Sequence, residues 1–142
     1  MAAGIAGGPF VAGARLNMLC DSNILIYAAE PGLSQVNAYV QSADACIAII
    51  SHIEVLGFPR FDTLDSIRQA RLEELVATLP AIPLDDAIVH RAIVLRRQKK
   101  MSVADAIVAA TALEYDMPLV TRNEADFKHI AGLKIINPFD VP

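Results

Sequence analysis

From residue 16 onward, short apolar runs alternate with longer segments whose apolar positions recur every three or four residues. That alternation predicts strands and helices taking turns, and hence a parallel sheet covered on both faces. The apolar runs place five strands at residues 16–20, 46–50, 81–84, 119–121 and 134–136. Between them the helical spacing predicts helices over 24–29, 34–42, 51–56, 64–79, 85–100 and 102–115. Pro31-Gly32, Pro59, Pro80, Pro83 and Pro118 punctuate the boundaries. The expected architecture is a single three-layer α/β/α domain around a five-stranded, mainly parallel sheet.

In such a sheet, ligands bind beyond the carboxyl ends of the strands, so the residues delivered there matter most. The first strand delivers Asp21, Ser22 and Asn23; the second runs into Ser51 and Glu54; the fourth ends at Thr121, Asn123 and Asp126. Asp105 opens the helix that precedes the fourth strand. Each acid also has an ordinary reading. Ser51-x-x-Glu54 and Ser102-x-x-Asp105 fit capping boxes, Asp21 and Asn23 suit a turn or N-cap, and Asn123 with Asp126 suits the start of a short helix.

Asp105 strains that reading, because residues 103–113 are apolar on nearly every side of the helix. A carboxylate in its first turn is then desolvated, which costs several kcal/mol or raises its pKa. The helix dipole offsets only about 0.3–2 kcal/mol of that. Spacing offers no lysine or arginine partner, and two carboxylates about 4 Å apart repel by roughly 4 kcal/mol at an effective dielectric near 20. A divalent cation relieves the conflict. Carboxylate oxygens without histidine or thiolate suit a hard ion, Mg²⁺ or Mn²⁺.

Composition narrows the surroundings of such a site. The 142-residue chain is 54% hydrophobic, of single-domain size, and lacks the roughly 20-residue apolar run that a membrane span needs. A soluble protein without membrane association is expected. Cys20 and Cys46 lie in strand-like runs and read as buried thiols in a reducing cytoplasm. Residues 1–17, glycine-rich with one charge at Arg15, read as a flexible extension ahead of a domain over 18–142, with Met18 a second candidate start.

A net charge of −4 excludes a broadly basic nucleic-acid-coating surface but leaves room for a local one. Arg96 and Arg97, in the stretch RRQKK just before Ser102, and Arg122, beside Thr121, are the candidate phosphate contacts. His52, His90 and His129 are scattered and read as surface or satisfied histidines. On the helix from Leu64, the positions of Leu64, Ile67, Leu72, Leu75, Val76 and Leu79 read as one apolar face, with Arg68 and Arg71 in the same arc. Those arginines either snorkel or border a groove for a partner.

Four segments, DSNILIYA, ISHIEVLG, SVADAIVAATALEY and LVTRNEADF, together resemble in order and spacing the PIN domain, in its single-domain form the VapC-type toxin ribonucleases of toxin–antitoxin pairs. The resemblance covers residues 18–139. It implies Asp21, Glu54, Asp105 and Asp126 as the catalytic, metal-binding quartet, oriented by Ser22, Asn23, Thr121 and Asn123. It further implies Mg²⁺ or Mn²⁺ dependence, RNA cleavage, a homodimer and inhibition by a VapB-type antitoxin. Ser22 stands where the family often has threonine, which keeps the hydroxyl.

Two other phosphate-handling classes fit less well. A phosphoacceptor receiver module would use Asp21, Asp85 and Thr121, but needs a lysine ending the fifth strand, where this chain has Asn137-Pro138. A haloacid-dehalogenase phosphatase needs a second aspartate where Asn23 stands. A catalytically idle PIN-like binding subunit is the remaining alternative.

Overall fold

Five strands lie side by side and all run parallel in the computed structural model, which describes residues 18–140. They are β1 (Met18–Cys20), β2 (Ala45–Ala48), β3 (Ala81–Ile82), β4 (Leu119–Val120) and β5 (Ile135–Ile136). The reading of residues 1–17 as an extension lies outside the described residues.

The sheet order is β3-β2-β1-β4-β5. The chain therefore builds outward from β1 on one side, then crosses back to place β4 against the other side of β1. Leu19 pairs with Leu119 and Cys20 with Val120, which puts the ends of β1 and β4 next to each other. A reversal of direction there leaves a crevice above the carboxyl ends, because the following connections depart to opposite faces.

Period-two alternation divides the strand residues between two cores. Leu19, Cys46, Ala48, Ile82 and Leu119 face α5 (Asp86–Gln98) and α6 (Val103–Glu114). Cys20, Ala45, Ile47, Ala81 and Val120 face the layer of α1 (Ser22–Ala28), α2 (Ser34–Val40) and α4 (Ser66–Thr78). The all-round apolar stretch of α6 is explained by this packing, since 106–112 are buried throughout. Val103, at its open end, is 53% exposed.

Helix starts depart from the sequence pattern in a consistent way. Asp21, Asp65, Asp85 and Ser102 each accept a backbone N–H from the helix they precede, at the start of α1, α4, α5 and α6. As caps they hold extended backbone, so α4 begins at Ser66 rather than Leu64 and α5 at Asp86 rather than Asp85. Two further elements are α3 (Ile50–Leu56) and the short α7 (Glu124–Phe127). Ile67 does not share the apolar face of α4. It is 80% exposed while Leu72, Leu75 and Val76 are buried, because at about 100° per residue it points away from Val76.

Candidate functional site

Asp21 sits where β1 ends and α1 begins, 5% exposed. Its Oδ1 accepts the Ser22 N–H at 2.8 Å and its Oδ2 accepts the Thr121 hydroxyl at 2.9 Å. Thr121, fully buried at the end of β4, accepts in turn the Asn123 N–H at 3.1 Å. The β1–β4 pairing makes this possible: the Asp21 N–H donates to Val120 O at 2.9 Å, carrying the ladder to the residue beside Thr121. The acceptor role of Thr121 Oγ1 toward Asn123 leaves its proton for Asp21.

Ser22 reaches in another direction. Its hydroxyl donates to Glu54 Oε1 at 2.5 Å, with Ser51 Oγ also within reach at 3.1 Å. The capping-box reading of Ser51 and Glu54 is overturned here. Helix α3 starts one residue earlier, at Ile50, with Ile49 as a cap that lends no side-chain bond. Ser51 lies inside the first turn, fully buried against Ser22, which leaves the Glu54 carboxylate to the crevice.

Asp105 is half-buried in the first turn of α6, and its N–H donates to Ser102 Oγ at 3.0 Å, one arm of the expected capping box. Asp126, on α7, is exposed, as is Asn23. Charge binds the set together. Burial pushes the Asp21 carboxyl up to about 6, against the lowering bond from Thr121, with Asp105 and Glu54 raising it further. Burial also raises the Asp105 carboxyl, followed by the charges of Asp126 and Glu54. Among the described residues, none of the four carboxylates has a cationic partner in an ion pair.

Three basic residues nonetheless stand close. A cavity of about 570 Å³ is lined by Asp105 and Asp126 together with Arg96, Lys99, Lys100 and His129. Arg97 is not part of its lining, and neither are Asp21 and Glu54. The sequence pattern did not single out Lys99 and Lys100 individually, although RRQKK contains both. His129, read as a surface or satisfied histidine, is half-buried, and among the described residues neither of its ring nitrogens has a hydrogen-bond partner.

Arg122 is exposed and lies over the Phe139 ring at 4.2 Å and the Tyr27 ring at 5.2 Å. Arg68 and Arg71 stand elsewhere, past the far end of α1. They line a groove of about 450 Å³ with Pro31 and Ile67. Arg68 donates to Glu30 at 3.1 and 3.2 Å and pairs with Asp65, while Arg71 donates to Asn37 at 3.0 Å and Glu74 at 3.1 Å.

The donor set decides whether a divalent ion fits. It offers carboxylates and hydroxyls, while burial raises the thiols of Cys20 and Cys46, the latter to about 12, far from the thiolate a softer metal needs. No three histidine, cysteine or acidic side chains among the described residues are grouped tightly enough to hold an ion outright. Mg²⁺ does not require such a cage: it keeps several waters and takes one or two carboxylates plus a phosphate. The residues present fit that kind of ion.

This strand order, with Asp21 and Thr121 bonded across the β1–β4 crevice, is accompanied by direct similarity to known proteins. The PIN domain family model matches residues 18–133, and the chain belongs to that family. It is similar to a chain in a toxin–antitoxin complex from Klebsiella pneumoniae, at 27% identity and TM-score 0.68, covering 88% of this chain and 100% of that one. It shares its fold with chains in VapBC2 from Rickettsia felis bound to a promoter DNA fragment (20% identity, TM-score 0.69, 86% and 98% covered). The same holds for FitAcB from Neisseria gonorrhoeae (20%, 0.69, 87% and 99%). No curated protein matches the chain in sequence. Nuclease activity is typical of the family, and among the described residues no helix is long and apolar enough to cross a membrane.

Proposed function

We propose that this chain is a cytoplasmic, metal-dependent endoribonuclease acting as the VapC-type toxin of a toxin–antitoxin pair. The observation that carries the reading is the state of Asp21 and Asp105: burial raises both carboxyls, neighbouring acids raise them further, and no described cation pairs with either. A protein keeps such repulsion where a ligand relieves it.

Mg²⁺ or Mn²⁺ is the ion the donors suit, with Asp21, Glu54, Asp105 and Asp126 as its holders. When bound, such an ion supplies Lewis acidity toward a phosphodiester oxygen and lowers the pKa of water. The chain's own residues do the positioning. Thr121 and the Ser22 N–H fix the two oxygens of Asp21, and Ser22 Oγ fixes Glu54. Asn123 sets the direction of the Thr121 proton through its backbone N–H, and Asn23 lies exposed on the first turn of α1. Asp105 and Asp126 share their cavity with Arg96, Lys99 and Lys100, which suit phosphates on either side of the cut. Arg97 and Arg122 complete the set of substrate contacts in this reading.

The Arg68–Arg71 groove is the proposed seat of a VapB-type antitoxin, supported by the toxin–antitoxin complexes among the structural relatives. A homodimer belongs to the same reading. Val89 and Ile93, one turn apart on α5, expose 37% and 43% of their surface, as an apolar contact face would. Reversing both groove arginines to glutamate is expected to weaken antitoxin binding at least tenfold; unchanged affinity removes the groove from the proposal.

Total RNA is the test of the enzyme itself, with wild type, Asp21→Asn and Asp105→Asn each assayed with Mg²⁺ and with chelator. Cleavage is expected in wild type with Mg²⁺ alone. Full-rate cleavage by either variant refutes the metal-cluster assignment, and no cleavage by wild type points to the idle binding subunit.

A further inference from the structure

We infer that Arg122, backed by Phe139 and Tyr27, is a stacking platform for an unpaired nucleobase of the RNA next to the cut. The inference rests on the ribonuclease reading and gives it a substrate contact beyond phosphate.

The guanidinium carbon lies 4.2 Å from the Phe139 ring centre and 5.2 Å from that of Tyr27. The two rings are themselves 5.2 Å apart, edge to face. With the rings that close, the guanidinium rests against both from one side rather than between them. Arg122 is exposed, so the side away from the rings meets solvent in part. Among the described residues no carboxylate pairs with it.

Holding the carboxyl-terminal turn does not require this arginine. Asn137 already donates to Glu124 Oε2 at 2.8 Å, and the Phe139 N–H donates to Asn137 Oδ1 at 2.9 Å. Phe139 is thereby anchored with its ring under a planar cation. Unpaired bases stack on aromatic rings and on guanidinium planes, and an aromatic backing keeps such a plane from turning.

Position ties the platform to the reaction. Arg122 directly follows Thr121, the donor to Asp21. Tyr27 lies one turn beyond Asn23 on the same face of α1, about 9 Å along the helix from Asp21. A strand whose phosphodiester reaches Asp21 carries its neighbouring nucleotide toward that face. A phosphate contact would use only the charge of Arg122, whereas stacking needs its plane.

Lysine substitution separates these. A single-stranded RNA oligonucleotide carrying 2-aminopurine at successive positions is titrated in chelator against wild type, Arg122→Ala, Arg122→Lys and Phe139→Leu, and cleavage kinetics are measured with Mg²⁺. One position is expected to show quenching in wild type that all three variants lose. KM is expected to rise about tenfold in Arg122→Ala and Arg122→Lys with kcat unchanged, and melting temperatures are expected to stay within a few degrees. A wild-type KM in Arg122→Lys, or quenching that survives Arg122→Ala, overturns the platform. Quenching without cleavage sinks the nuclease reading instead and leaves a base-binding surface in place.

Discussion

The hydroxyl of Thr121 donates to Asp21 Oδ2 at 2.9 Å, joining the ends of two adjacent parallel strands that are a hundred residues apart in sequence. Replacing it with valine keeps the branched outline but deletes the hydroxyl, taking the partner from Asp21 Oδ2 and from the Asn123 N–H. Thr121→Val is expected to fold normally and lose roughly 10–100-fold in metal-dependent cleavage, as other supports of metal-binding carboxylates do. Steady-state kinetics beside a thermal melt check this, and an unchanged rate denies Thr121 its orienting role.

Asp21 makes stability fall as pH rises in the absence of metal. Its carboxyl is raised from 3.8 to about 6, so the folded chain binds the proton more tightly than the unfolded one. The contribution is complete below about pH 4 and is lost as pH climbs through about 6, for a total of about 3 kcal/mol. Asp21→Asn carries no such titration. In chelator it is expected to be the more stable protein at pH 7.5 by up to that amount, with the gain gone near pH 4. Denaturant melts at the two pH values decide it; an equal gain at both shows that desolvation of the charge is not the cause.

Metal binding to the folded state alone raises the melting temperature by mass action. Millimolar Mg²⁺ or Mn²⁺ is expected to stabilise wild type at pH 7.5 by several degrees and to stabilise Glu54→Gln and Asp105→Asn less. Calorimetric scans with and without chelator measure it. A wild-type curve indifferent to both ions counts against the quartet as their seat.

Helix α4 offers a packing contrast. Leu72→Ala empties a fully buried site and is expected to cost about 2–5 kcal/mol. Ile67→Ser, at a position 80% exposed, is expected to stay within about 0.5 kcal/mol of wild type. Urea midpoints of the two variants test the assignment of faces, and a large loss at Ile67 would reverse it.

Much of this chain is legible before any folding is considered. Apolar alternation places the five strands, and the four motifs bring Asp21, Glu54, Asp105 and Asp126 forward as a set, because strand period and motif spacing are local properties of the chain. Element ends are less legible. Asp65 and Asp85 read as helical by spacing, yet as caps they hold extended backbone and spend their carboxylates on the next turn's N–H groups.

Pattern alone does not assign partners. Ser51 reads as a cap until the fold buries it against Ser22, and Arg122 reads as a phosphate contact alone until Phe139 arrives beneath it from the end of the chain. Such pairings depend on which strands become neighbours. Local periodicity names the strands, but their order follows from how the helices can cover both faces at once, and that order is what sets Thr121 against Asp21.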